Sequence, residues 1–240
     1  MAEIRPFRGV HYSQSLIKDW PVVICPPYDI ISPQLQQELH LRSEYNFVRL
    51  EFGRELPQDT ATDNKYTRSA AILEQWLKRG ILEVDEAPAI YLHDQYFRHQ
   101  GRGYKRRGIG AGVRVEEWDK MVIRPHEGTI GESRGDRLSL LWALQANSSP
   151  ILALFRDQGQ QVSSLLATKE QSKPLISFRS VNGEDHIIWA ITEAEVVNGI
   201  SSSLAEQPLY IADGHHRYES ALAYLHERRA YSPSAARESI

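Results

Sequence analysis

Apolar and polar positions alternate with two different periods along the chain, and the change from one to the other marks out its elements. Over residues 64–78, Ala70, Leu73 and Leu77 recur at helical spacing and Gly80 comes next where a C-cap belongs, so the spacing predicts a helix there. Ser32 followed by Pro33 predicts a second helix, running to about Arg42, with serine as N-cap and proline at the first helical position. Upstream, Val22-Val23-Ile24-Cys25 is a short apolar run that stops at the stiff turn Pro26-Pro27-Tyr28-Asp29. Residues 46–52 alternate and are rich in β-formers, with Phe47, Leu50 and Phe52 available for burial, which predicts a strand.

The second half mixes the two periods. Paired strands are expected over 89–98 and 108–116, joined by a basic, glycine-rich loop over 99–107. A helix starting near Ser133 should continue through 138–146, and 151–155 reads as a buried strand. Runs over 175–181 and 186–192 flank Asn182-Gly183, a strong hairpin signal. Thr192-Glu193-Ala194-Glu195 has a capping-box pattern that predicts a helix to about Ala205. A strand over 208–212 then runs straight into Asp213-Gly214, with a helix opening near His215. There is no internal repeat and no low-complexity tract. The expected fold class is α/β, of the α+β mixed-sheet kind, with an N-terminal α/β region over 1–86 and a mixed core over 87–240. The segment 84–88 is short for a linker, so one continuous domain is the other reading.

Composition narrows the function classes. The 240 residues, 41% of them hydrophobic, are enough for a real core without disulfide or metal staples. Lys and Arg number 28 against 31 Asp and Glu, a net charge of −3. Binding to nucleic acid in bulk needs excess cations to displace counterions, so it is not favoured. Cys25 is the single cysteine and fits a cytoplasmic location. The N-terminus lacks the basic-then-apolar pattern of a secretory signal, and no run approaches the ~20 apolar residues of a membrane helix.

The segment Tyr210 to Tyr218 carries the chemistry. A strand ends, Gly214 turns the chain and a helix opens, where backbone N–H groups and the helix dipole both favour an anion. Arg217 can fork onto phosphate oxygens, His215 and His216 add donors, and Asp213 could hold a divalent cation such as Mg²⁺ or simply cap the helix. A bare Asp-Gly at such a junction is ordinarily only a cap. Two histidines and an arginine directly after it are harder to explain structurally.

Asp213-Gly214-His215-His216-Arg217 resembles the Asp-Gly-His-His-Arg signature of the free-serine kinases of the ParB/sulfiredoxin-like superfamily. The wider chain resembles the domain-of-unknown-function family 1015, through residues 5–9, Pro26-Pro27-Tyr28-Asp29, residues 46–50, Pro125-His126-Glu127 and the pentad. The likeness implies a ParB/sulfiredoxin-like core and a chain truncated at its C-terminus. Arg124-Pro125-His126-Glu127 is similar to the kinase segment that supplies a catalytic glutamate, and its order before the pentad agrees. On that likeness Glu127 would take the proton of an attacking hydroxyl. ATP or ADP would be the donor, Mg²⁺ a possible cofactor, and a small hydroxyl metabolite, free L-serine above all, the acceptor. The partners implied are thus a nucleotide and a small molecule. Two alternatives stay open: a nucleotide-binding switch like the CTP-binding ParB relatives, and a nuclease-like protein, for which no multi-carboxylate metal cluster is evident beyond Asp213 and Glu127. Relative to the compact kinases the chain carries a long insertion between Glu127 and Asp213.

Further candidates are weaker. His126, Arg137, Tyr28 and Asp29 are possible substrate contacts. Residues 128–137 read either as a lid or phosphate-contacting loop or as a plain flexible loop, without the Lys-Ser/Thr ending of a Walker motif. Arg102, Lys105, Arg106 and Arg107 read as a solvated hairpin tip. His11, His40, His93 and His99 lack metal-ligand spacing. His186 and Cys25 read as structural.

Overall fold

The computed structural model describes residues 2–127 and 131–231. The N-terminal half contains strands β1 (Ile4–Arg5) and β2 (Val10–Tyr12), helices α1 (Trp20–Val23), α2 (Pro33–Arg42), α3 (Val48–Glu51) and α4 (Lys65–Lys78), and strand β3 (Leu82–Val84). The second half contains β4 (Ile90–His99), β5 (Arg102–Gly110), β6 (Gly112–Val113), β7 (Ile123–Arg124), α5 (Gly131–Leu144), β8 (Leu152–Leu154), α6 (Gln161–Ala167), β9 (Ile176–Arg179), β10 (Asp185–Ile191), α7 (Ala194–Ala205), β11 (Leu209–Asp213) and α8 (His215–Tyr231). The fold is mixed α/β. Its largest sheet is antiparallel in the order β5-β4-β10-β9, and a smaller one runs β7-β11-β8. No described helix is long and apolar enough to cross a membrane.

Buried apolar side chains collect in separate clusters. Tyr12, Val23, Leu50, Trp76, Ile81 and Leu82 form one, with a small satellite of Ile31, Leu39 and Val48. The other joins Ile90, Leu92, Trp189, Ile191, Ile200, Ile211 and Tyr218, and takes in Ala2 and Ile4 from the start of the chain. That crossing is held by β1, which pairs antiparallel with β6. The first residues therefore pack with the second half, while the buried apolar residues of 12–82 cluster with one another.

Most helices obey their sequence signals. The Ser32 hydroxyl accepts from Leu35 N at 3.2 Å, and Asn64 caps α4 through a reciprocal capping box with Thr67. Asn182-Gly183 makes the expected turn between β9 and β10, with Gly183 at φ +79°. At α7, however, the capping box expected from Thr192 does not form. Glu193 is the N-cap, without a side-chain cap bond.

Three expectations are corrected. Residues 46–52 are not a strand but hold α3. The buried Asn46 side chain accepts from Val48 N at 3.0 Å and donates to the carbonyls of Val22 and Ile24, bending the chain into a helical turn. The apolar run at Val22, to which the sequence assigned no element, ends α1. The loop expected over 99–107 is mostly strand, because Gln100 (φ +49°) and Gly101 (φ +77°) alone turn β4 into β5. Its cations are not simply solvated either. Arg107 forks onto the fully buried Asp94 at 2.7 and 2.6 Å, and Lys105 reaches the same carboxylate at 3.0 Å. Burial pushes the Asp94 carboxyl up, but the two cations more than offset it and hold it below the usual carboxylate range.

His40 on α2 has its Nε2 buried without a hydrogen-bond partner among the described residues. Burial, with Arg54 and Arg49 nearby, pushes its pKa down to about 4. In the unfolded chain a histidine titrates near ~6.5. The folded state thus binds this proton less readily, and the stability that neutral His40 contributes is complete above ~6.5 and lost as the pH falls towards 4. The melting temperature should drop through that window, and less steeply in His40→Gln. His93 and His186 are lowered too, by burial first, so the His40 share is the difference between the two melting profiles. Parallel profiles would remove His40 from the acid response.

Candidate functional site

The site rests on two parallel neighbours. β11 pairs parallel with β7 in the register Leu209↔Ile123 and Tyr210↔Arg124. Parallel strands in register release their chains at the same edge, so the residues leaving β7 meet those leaving β11. After β7 come Pro125, His126 and Glu127; after β11 come Gly214 and His215. Carboxyl ends of parallel strands are where open α/β sheets commonly place ligands.

At the corner Gly214 adopts φ +94°, a region that residues with a Cβ rarely occupy. Helix α8 begins at once, with Tyr218 N bonding to Gly214 O at 3.0 Å. The Tyr218 hydroxyl donates to Glu116 O at 2.7 Å and accepts from Glu116 N at 2.9 Å, which pins the first turn of α8 to the irregular segment between β6 and β7.

His215 is buried, with only 1% of its side chain exposed, and links the two segments. Its Nε2 accepts from the His126 amide at 3.3 Å. Its Nδ1 lies 3.0 Å from Glu127 Oε1, an ion-pair distance, but lacks the alignment of a hydrogen bond. The His126 ring stands edge-on to that of His215 at 4.6 Å between centroids, and its Nδ1 is 2.7 Å from the carbonyl of Ile211. Glu127 keeps 59% of its side chain exposed. The corner therefore holds a solvent-accessible carboxylate against a buried imidazole.

Arg217 folds back over Gly214. Its guanidinium donates to Pro150 O and, at 2.5 Å, to Asp213 Oδ2. A Cβ on residue 214 would lie 3.0 Å from Arg217 Cζ and Nε, so glycine here also makes room for the arginine. Asp213 is exposed at the mouth of the corner, and His216 is half-buried in the first turn of α8.

Tyr28 and Asp29 lie in a 3₁₀ turn. Burial raises the Tyr28 phenol, and the charges of Arg137 and Arg217 act against that rise. Asp29 is exposed. The Arg137 guanidinium stacks on the Tyr28 ring at 3.9 Å and donates to Glu51 O, to Glu51 Oε1 and to Asp136. This arginine, expected among the substrate contacts, is engaged inside the protein. Residues 128–130 of the glycine-rich stretch lie outside the described residues, and 131–137 are the first turns of α5 rather than a loop.

Sequence reasoning missed Glu51, a buried carboxylate that takes Arg137 at 3.1 Å and the Ser149 hydroxyl at 2.8 Å. Nothing near residue 51 signals it, because its partners are 86 and 98 residues away. No curated protein and no solved structure matches the chain. A family model described as "Protein of unknown function (DUF1015)" matches residues 4–239, and the chain belongs to that family.

Proposed function

We propose that the chain is a nucleotide-dependent phosphotransferase acting on a small hydroxyl metabolite. The observation that carries this reading is the approach of Glu127 to 3.0 Å from His215 at the strand-to-helix corner. An exposed carboxylate beside an anion-favouring helix start has the parts that hydroxyl phosphorylation needs. Glu127 accepts the proton of the attacking hydroxyl as the new O–P bond forms and the donor's P–O bond breaks. The first turn of α8 and the Arg217 guanidinium face negative charge as it develops on the phosphoryl oxygens. His215, fixed by the His126 amide, holds the Glu127 carboxylate at the corner.

The donor set suits the implied cofactors. Mg²⁺ prefers oxygen and is often held by one or two carboxylates plus substrate phosphates. Asp213, with 55% of its side chain exposed, is such a carboxylate, whereas the imidazole-rich pair beside Glu127 is not what Mg²⁺ selects. Bound ATP or ADP with its ion would supply the phosphoryl group and neutralise its charge. Free L-serine as acceptor rests on the likeness of the pentad to the free-serine kinases.

The test is an incubation with Mg²⁺, ATP or ADP, and a pool of hydroxyl metabolites that includes L-serine, read by mass spectrometry. A phosphorylated metabolite that depends on both nucleotide and protein is the expected result. Nucleotide hydrolysis or binding with no phosphorylated acceptor across the pool would sink the transferase reading and favour a nucleotide-binding switch.

A further inference from the structure

The geometry points to a transition-metal site of the zinc class built from His126, Glu127 and His215, whose occupation withdraws Glu127 from proton transfer. One ligand atom from each of the three lies within 4.8 Å of the others. Two imidazoles and a carboxylate are a nitrogen-rich set that suits Zn²⁺, Co²⁺ or Ni²⁺ rather than Mg²⁺. Three protein ligands with an open fourth position is a common zinc arrangement. For Zn–N and Zn–O bonds of about 2.0–2.1 Å, tetrahedral ligand atoms sit roughly 3.4 Å apart, so closing on an ion draws the side chains together. The exposed His126 and Glu127 are the members able to make it.

Two further observations direct the site at an ion. His215 Nδ1 is buried, has no aligned hydrogen-bond partner among the described residues and lies 3.0 Å from the Glu127 carboxylate. The second is an outer hydrogen bond of the kind that orients metal-binding histidines. His126 Nδ1 donates to the Ile211 carbonyl at 2.7 Å, so its lone pair is on Nε2. At His215 the ring proton has to change place. With Nε2 accepting from the His126 amide, the proton of the neutral ring is on Nδ1. Coordination through Nδ1 releases that proton while Nε2 takes one up, and the amide contact, long at 3.3 Å, is given up. The ring stays neutral, Nε2–H and the His126 amide N–H become two donors that must move apart, and one weak hydrogen bond is exchanged for a metal–nitrogen bond.

The inhibitory clause rests on Glu127 as the base of the proposed transfer. A carboxylate bound to a transition metal no longer accepts the hydroxyl proton, so zinc should inhibit while Mg²⁺ does not.

The experiment titrates Co²⁺ into the chelator-treated full chain and follows the visible d–d bands, with Zn²⁺ as competitor. One Co²⁺ per chain, displaced by Zn²⁺ and unaffected by excess Mg²⁺, is expected. His126→Gln and Glu127→Gln change exposed side chains and should each weaken Co²⁺ binding by ~10–100-fold or more, a loss that outer-shell changes alone can cause. Near-UV circular dichroism confirms that both variants are folded, and His126→Gln carries the test if only one is. An absence of d–d bands, or a Co²⁺ affinity equal in wild type and variants, overturns the site. Transfer activity that saturating Zn²⁺ leaves untouched overturns the inhibitory clause. Metal binding without any phosphoryl transfer keeps the site and sinks only the kinase reading, so the two failures are separate.

Discussion

Replacing Glu127 by glutamine should lower phosphoryl transfer ~10²–10⁴-fold while nucleotide binding persists, the loss expected when a positioned base is removed. Glutamine keeps the shape of the side chain and can still lie beside His215 Nδ1, so the corner should keep its form. The base acts only as the hydroxyl attacks, and the fall should appear in kcat more than in KM. Arg217→Ala makes the contrast. This guanidinium is tied to Asp213 and to the Pro150 carbonyl, so its loss frees the loop before β8 as well as removing a phosphate contact. Nucleotide affinity and transfer should fall together. Full turnover in Glu127→Gln would place the base elsewhere, and unchanged nucleotide affinity in Arg217→Ala would reduce the pentad to a structural cap. Isothermal titration alongside steady-state kinetics reads both variants.

Arg137→Met should destabilise the protein by ~3–5 kcal/mol, the cost of breaking a buried ion pair by removing one partner. Arg137 and Glu51 keep only 6% and 2% of their side chains exposed. Glu51 Oε2 already lacks a hydrogen-bond partner among the described residues, so losing Arg137 leaves a buried carboxylate with the Ser149 hydroxyl as its remaining described partner. Asp136 is affected as well. Burial pushes its carboxyl up, yet Arg137 and Lys65, with the Tyr66 hydroxyl, hold it below the usual range. Methionine retains much of the arginine's length and contact with the Tyr28 ring, so the loss reports on charge more than on volume. The double variant Glu51→Leu, Arg137→Met should recover much of the stability, because two apolar groups of similar size remove both desolvation penalties together. Urea unfolding of the three proteins decides the matter. A single-variant loss under ~1 kcal/mol would mean that the pair is not sealed from solvent as the structure has it.

This ion pair also joins the two halves. Glu51 belongs to α3 in the N-terminal half and Arg137 to α5 just after the Glu127 segment, with Lys65 of α4 reaching Asp136 at 2.7 Å. Trp20 of α1 stacks on Phe178 of β9 at 5.7 Å, a second bridge away from the site. Residues 12–82 thus have their own apolar interior but are held to the rest by a buried polar network. Burial of that kind fixes position strongly, because each charge is costly to expose singly and costly to leave unpaired.

Where a local signal was sufficient, residue type alone set the element. The Ser32 cap, the Asn182-Gly183 turn and the Asp213-Gly214 junction each depend on backbone geometry within a few residues, and all are legible from the amino acids present. The pentad could therefore be placed on a strand-to-helix corner without a structure. Long-range contacts settled the rest. The β-like run at 46–52 became α3 because Asn46 bonds to carbonyls at Val22 and Ile24, contacts whose energy outweighs a weak strand propensity. Arg137 reads as a possible substrate contact near a helix start until Glu51 is brought beneath it from 86 residues away. Glu127 and His215 meet because β7 and β11 are parallel neighbours, and strand pairing across such a distance leaves no periodicity in either segment. Local hydrogen bonding and steric preference act within a few residues and so are written in the sequence; strand order and buried charge pairing are fixed only when distant segments compete for the same interior.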